Sequence, residues 1–341
     1  MVGAGRHPRR VGHILGLALV TVLLGASWSA AGAPADRVRV VFQTFQSYGG
    51  LFIAEREGFF AAEQIQITWV TVGSTPEVIA LLSQGQIDVG AGGVTPAFFN
   101  GISRGLKLRI VADKGHVGPG RGAPVLMVRR SLAGVVRSVA DLKGRRVATT
   151  GLGDLGHYLL ARTLDVHGVP ASSVTVVTLP FSAHIPGLEG GGVDAAFLSP
   201  PLDQQAIARG IAFKLADPAD YMPGEPLAFL FYGPTLLEQN RPLGLRFMRA
   251  YLRALAQYKE GPTPRNVAII AAYTKVDPAT VQKSGWTAIH PEGFVDVNKI
   301  RRHQDWLYAL ELVNVRNPMS LVADMAFVEQ ALLALKAPST R

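Results

Sequence analysis

The side chains in this sequence best suited to chemistry with a small molecule are hydroxyls, amides and aromatics set among glycines at the ends of apolar runs. Gln43, Phe45, Gln46, Ser47 and Tyr48 follow the run 38–42, and Ser74 and Thr75 follow Gly73. Gly93 and Thr95 lie in a small-residue loop after residue 90, and Thr150, Gly151, Gly153, Asp154 and His157 follow the run 145–149. Phe181 and Ser199 come after two further apolar runs, and Tyr232 ends the run 227–232. Small residues let backbone amides approach a compact polar ligand, hydroxyls and amides add donors, and aromatics wall it in. Taken singly, each is also ordinary turn and cap chemistry, so the expectation of a binding site rests on the collection.

The residues give catalysis less to work with. The histidines after residue 35, at 116, 157, 167, 184, 290 and 303, show no metal-binding spacing, and neither G-x-S-x-G nor G-x-x-x-x-G-K-[ST] occurs. Gly90, Gly92 and Gly93 miss the dinucleotide-binding spacing. Asp154, three residues before His157, reads as a helix N-cap rather than half of an acid–base pair. No catalytic residue, metal ligand or cofactor is expected.

The elements that must hold these loops are encoded twice. Residues 87–113, IDVGAGGVTPAFFNGISRGLKLRIVAD, are echoed at 193–217 by VDAAFLSPPLDQQAIARGIAFKLAD. Each copy opens on an apolar residue and Asp, continues as a short apolar strand and a loop ending in proline, and closes a helix with Arg-Gly before a last strand. Asp88 and Asp194 open a strand in both copies, which predicts a shared role bonding local backbone amides. Upstream, each copy has a helix that stops at a glycine, Gly58 or Gly168. Ser74-Thr75-Pro76-Glu77 is a capped helix start with proline at a tolerated position.

Strands alternating with helices predict an α/β fold of two lobes, each a mostly parallel sheet flanked by helices, joined by two crossings near 124 and 227. Ligands in such sheets sit beyond the carboxyl ends of the strands, where the candidate loops lie. After residue 232 the sequence is almost wholly helical and is expected to pack on the first lobe. The expected division is 1–35 as an export signal, 36–123 with 229–341 as lobe 1, and 124–228 as lobe 2.

The signal reading rests on Arg6, Arg9 and Arg10 before the apolar run 14–26, then small residues at 29–35. Its removal lowers the formal net charge from +9 to +6. That excess is spread along the chain without interleaved aromatics, which argues against a nucleic-acid partner. The chain has no cysteine, so disulfides, thiolate metal sites and a lipid-modified cysteine are excluded. Cleaved export without a lipid anchor predicts a free periplasmic protein.

Several segments, in order, resemble a known family. Phe52-Ile53-Ala54-Glu55-Arg56-Glu57-Gly58-Phe59-Phe60 is similar to its early A-x-x-x-G-x-F helix end, and Gln84-Gly85-Gln86-Ile87-Asp88-Val89-Gly90 to its G-x-[IV]-D-x-G strand. Asp141-Leu142-Lys143-Gly144-Arg145-Arg146-Val147-Ala148 resembles the D-L-K-G-K-x-[IV] entry to the second lobe, and Gly192-Val193-Asp194-Ala195 the later G-x-[IV]-D-A. The family is that of the periplasmic substrate-binding proteins of ABC importers, in the branch with aliphatic-sulfonate, taurine and nitrate binders and thiamine-pyrimidine-precursor-like proteins. The likeness runs from about 38 to 260.

That resemblance implies a two-lobed periplasmic-binding-protein fold of type II. It implies a hinged monomeric trap that captures a small molecule and delivers it to a permease in the inner membrane, without catalysis. Pyrimidine synthases of the superfamily carry a cysteine-rich motif that this chain lacks. The implied ligand is a small organic anion, a sulfonate or carboxylate, or a related nitrogenous compound; a heteroaromatic ligand, a periplasmic enzyme and a receptor-docking sensor stay open. No arginine sits at a strand end. Lys114, His116 and Arg121, just after the last repeated strand of the first lobe, are the cations at hand, while Asp154 at a helix start opposes an anion there.

Overall fold

The computed structural model describes residues 1–5, 34–120 and 122–337. Residues 1–34 and 35–341 are separate compact units, and the account below concerns the second. The expected export signal falls almost wholly outside the described residues, as does Arg121. No helix among the described residues is long and apolar enough to cross a membrane.

The first copy of the repeat builds β1 (Asp36–Phe42), β2 (Ile65–Thr71), β3 (Val89–Gly92) and β4 (Arg109–His116). β5 (Val125–Arg129) follows as the first crossing, the second copy builds β6 (Arg146–Thr149), β7 (Thr175–Thr178), β8 (Ala195–Leu198) and β9 (Ala212–Ala216), and β10 (Pro226–Tyr232) is the second crossing. They form two five-stranded sheets, β2-β1-β3-β10-β4 and β7-β6-β8-β5-β9. β1 and β2 run parallel with Asp36 opposite Ile65 and Phe42 opposite Thr71.

The two sheets are the same arrangement made twice. In each, one strand arrives from the other half of the repeat and runs antiparallel to both neighbours: β10 between β3 and β4, β5 between β8 and β9. The other four strands of each sheet share a direction, so the sheets are mostly parallel as expected, each mixed by its one reversed strand. Strands of βα units run toward the gap between the sheets, and a chain entering from the opposite sheet must cross its new sheet the other way. The two crossings are therefore strands in their own right, linked by 117–124 and 217–225.

Local chemistry repeats with the topology. Asp88 accepts the backbone N–H of Arg39 at 2.8 Å and pairs with its guanidinium, and Asp194 accepts the backbone N–H of Arg146 at 2.9 Å and the guanidinium of Arg129. Each carboxylate ties the strand it opens to the neighbouring strand of its sheet. Gly58 and Gly168, both with positive φ, end their helices as the sequence predicts. The helix Thr75–Ser83 starts on Ser74, whose hydroxyl accepts from the Glu77 N–H, while the Glu77 carboxylate accepts from Gly73.

β5 shows why helices cover both faces of the second sheet. Its residues alternate, Leu126 and Val128 joining a core with Val147 and Leu159, Val125 and Met127 joining another with Ala148 and Leu188. The first sheet shares one large core with the helices that follow β10, including Phe247 and Tyr251 of Arg241–Tyr258 and Phe327 of Ala326–Lys336. The helix Val297–Ala309 reaches further: Ile300 and Leu307 belong to the first core, and Trp306 packs on both the first core and that of Leu126.

Candidate ligand-binding site

The strand ends of the two sheets meet around a cavity of about 80 Å³. Main-chain bonds between the halves seal it: Gln46 N–H donates to the Pro200 carbonyl at 2.8 Å, and Phe181 N–H to the Gly73 carbonyl at 3.2 Å. The rings of Phe45 and Phe181 meet edge to face with centroids 5.1 Å apart. A Cβ on Gly93 would stand 2.9 Å from the Leu155 Cβ, so absence of a side chain there lets the halves approach.

Of the residues singled out by sequence, Gln43, Phe45, Ser47, Thr75, Gly93, Thr150, Asp154, Phe181 and Ser199 line this cavity. Gln46 stands behind it. Its side-chain oxygen accepts from Thr287 N–H at 2.8 Å and its amide donates to the Gly285 carbonyl, so the loop after β1 is braced by the C-terminal half. Tyr48 is fully buried under the cavity floor, its hydroxyl 3.2 Å from the Ala91 carbonyl. Ser74 and Thr95 serve as helix N-caps, which occupies their oxygens. Gly151 lies beside the cavity, and Gly153 at positive φ packs on Pro96 and Leu307.

His157 and Tyr232 are placed away from the cavity. His157 Nδ1 accepts from the Gly153 N–H at 2.9 Å and its ring stands edge-on to Trp306, away from the Asp154 oxygens. Burial lowers its pKa. Tyr232, expected as a wall, instead lies in the first core: its side chain faces the helix side of the sheet, its hydroxyl donates to the Gly244 carbonyl and its ring packs on Phe327. β10 runs antiparallel to β3, so Tyr232 lies opposite Val89 at the end of the sheet away from the gap, while Leu227 and Ala228 near the start of β10 line the cavity.

The carboxylate of Asp154 is saturated. It accepts the N–H and hydroxyl of Thr150 and the N–H of His157, as an N-cap does, and burial still raises its pKa despite those bonds. His184, which the sequence left among the scattered histidines, lines the cavity with Nε2 3.1 Å from the Leu179 carbonyl.

Lys114 is the charge that the loop-based reading left outside its site. It belongs to β4, is 1% exposed, lines the cavity and donates to the Ser47 hydroxyl at 2.8 Å. Its ammonium also stands 3.7 Å from the centre of the Tyr48 ring. Burial pushes its pKa well below the ordinary lysine value, with the Asp113 charge opposing that shift. Asp113 itself is engaged by Gly115 N–H, His290 N–H and the His116 ring. Among the described residues Lys114 has no carboxylate partner, and the Gln43 side-chain NH₂ has no acceptor. The sequence signal was a lysine following directly on the apolar run Ile110–Ala112 and Asp113. Thr287, Leu155 and Phe197 complete walls that only the folded chain reveals.

The profile of the NMT1/THI5-like family matches residues 46–264. A protein of Escherichia coli (strain K12) named as an aliphatic sulfonates-binding protein is 27% identical over 214 residues; the match takes in 61% of this chain and spans 63% of the length of that curated relative. The alkanesulfonate-binding protein SsuA from Xanthomonas axonopodis pv. citri, solved bound to MOPS, has the same fold, with TM-score 0.69 and 23% identity over 85% of this chain and 99% of its own. The desulfurization enzyme DSZB has the same fold too, with TM-score 0.64 and 18% identity over 88% of this chain and 100% of its own.

Proposed function

The chain belongs to the NMT1/THI5-like family, and from that premise we propose that it is an exported solute-binding protein that closes on a small organic anion and hands it to the permease of an ABC importer. The observation that carries this reading is the sealed cavity, polar on the side of the first sheet, at the strand ends of both sheets. Its about 80 Å³ lies far below the roughly 300 Å³ at which drug-sized sites begin, so it favours a compact ligand. In this reading lobe 1 comprises 36–123 with 229–341 and lobe 2 comprises 124–228. The segments 117–124 and 217–225 act as the hinge, and the ligand selects the closed form by binding it better than the open one.

DSZB shows that this fold also carries enzymes. Binding without turnover is favoured here because the acid and the imidazole that line the cavity are engaged, Asp154 by backbone and hydroxyl donors and His184 by a carbonyl, which leaves Lys114 without an acid–base partner. The Phe45–Phe181 pair gives a heteroaromatic ligand its support as the second reading. The protein works as a monomer in the periplasm, after cleavage of the signal at its N-terminus. X-ray scattering of the protein without residues 1–35, with and without small sulfonates, carboxylates and aminopyrimidines, tests the trap. A ligand that both raises the melting temperature and reduces the radius of gyration is expected. An unchanged radius with a bound ligand would sink the closing mechanism, and chemical conversion of the ligand would sink the binder.

A further inference from the structure

Resting on the reading of a trap for small anions, we propose that Lys114, Gln43 and Ser47 form the seat for the head group of the anion. The three side chains line one side of the cavity, that of the first sheet. Lys114 is a buried ammonium whose described partners are one hydroxyl and one aromatic face. A buried cation without a counter-ion is costly, and a chain that keeps one in a closing cavity leaves the counter-charge to come from outside.

Gln43 supports the same ligand independently. It is 8% exposed, and its side-chain NH₂ has no acceptor among the described residues. Its oxygen stands 3.3 Å from the Tyr48 hydroxyl, whose single proton is shared with the Ala91 carbonyl at 3.2 Å. Ser47 accepts from Lys114, so its own proton is free to donate. Two nitrogens and a hydroxyl, all donors, match the oxygens of a singly charged acid head, sulfonate or carboxylate. Asp154 on the opposite wall has its oxygens occupied and does not compete for the ammonium. Leu155, Phe181 and Phe197 face the seat from the second sheet, where a short apolar body fits.

Burial and charge act together here. With the cavity closed and no anion, desolvation holds Lys114 well below the ordinary lysine value of 10.5. A bound anion opposes that shift and favours the ammonium in the closed form. The titratable groups around it are Tyr48 beneath, Asp113 beside it on β4, and Asp154 and His184 in the far wall. Burial raises Tyr48 out of the working range, so its phenol stays neutral.

The test uses the protein without residues 1–35 and five probes: ethanesulfonate, benzenesulfonate, propanoate, benzoate and neutral 4-aminopyrimidine. Titration calorimetry reads the affinities. At least one acid is expected to bind, and the better series, sulfonate or carboxylate, identifies the head. Lys114→Met and Lys114→Gln each weaken it by about 100-fold or more, the cost of unpairing a buried charge, and Gln43→Ala by about 10-fold. Circular dichroism and thermal melts show that the variants are folded. Binding within threefold of wild type in both lysine variants overturns the seat while scattering still reports closure. A radius of gyration that no probe changes overturns the trap, and the seat with it.

Discussion

Lys114 ties binding to stability at the level of one side chain. Its pKa is depressed in the fold, so holding it charged costs stability; the cost is complete below its depressed value and disappears as pH rises past the ordinary lysine value. Lys114→Met therefore raises the melting temperature of the protein without ligand by roughly 2–4 °C, the shift that about 1 kcal/mol produces, as scanning calorimetry near neutral pH checks. A fall of similar size would show that the cation–aromatic contact with Tyr48 outweighs desolvation. The sequence marked Lys114 as an available cation but not as part of the site. The six residues from Ile110 to Gly115 in β4 are all buried, so the alternation that reports exposure is missing there. At Asp154 the sequence displayed the carboxylate at the helix start but not its further donors, the N–H and hydroxyl of Thr150, which come from the turn before the helix it caps. Phe45 and Phe181 were legible as aromatics in loops, but their contact joins residues of different sheets and has no trace in local spacing.

Among the elements, the helix Val297–Ala309 is the one whose Trp306 packs on both the first core and that of Leu126. His303 stacks on Tyr158 of the helix Leu155–Val166 with centroids 4.1 Å apart, and Trp306 stands edge-on to both His303 and Tyr158. Burial pushes the pKa of His303 down to about 3, with the neighbouring His157 pulling the same way. The imidazole stays neutral in the closed fold, so its contribution is intact above the ordinary histidine value of 6.5 and is lost as pH falls from there toward 3. Acidification to about pH 5 is expected to cost the closed fold about 1.4 kcal/mol for each unit below that value. His303→Phe flattens this part of the profile, and urea melts across pH measure it. An unchanged slope in the variant would assign the effect to other groups.

Gly93 acts at the mouth of the same contact. Gly93→Val pushes a side chain into Leu155, so ligand affinity falls about tenfold or more while each core stays packed, a change that titration calorimetry reads. The helical character of this C-terminal stretch was legible from its apolar periodicity. That one of its helices spans both cores was not, because Trp306 and His303 have partners more than a hundred residues away.

For the molecule as a whole, the duplicated sequence was the most legible feature, since two copies of one strand–helix grammar become two sheets of one arrangement. What duplication could not display was the exchange of one strand in each direction, since β5 and β10 lie outside the repeated segments. That exchange bears on the order in which the molecule can be made. The strands of the second sheet, β5 to β9, are one continuous stretch, while the first sheet lacks the strand between β3 and β4 until β10 has been synthesised. A fragment of residues 124–217 is expected to melt cooperatively by circular dichroism, and a fragment of residues 36–116 is not. Once residue 216 has left the ribosome the later half can complete, while the earlier half waits, unfinished and in need of protection, for seven residues still inside it.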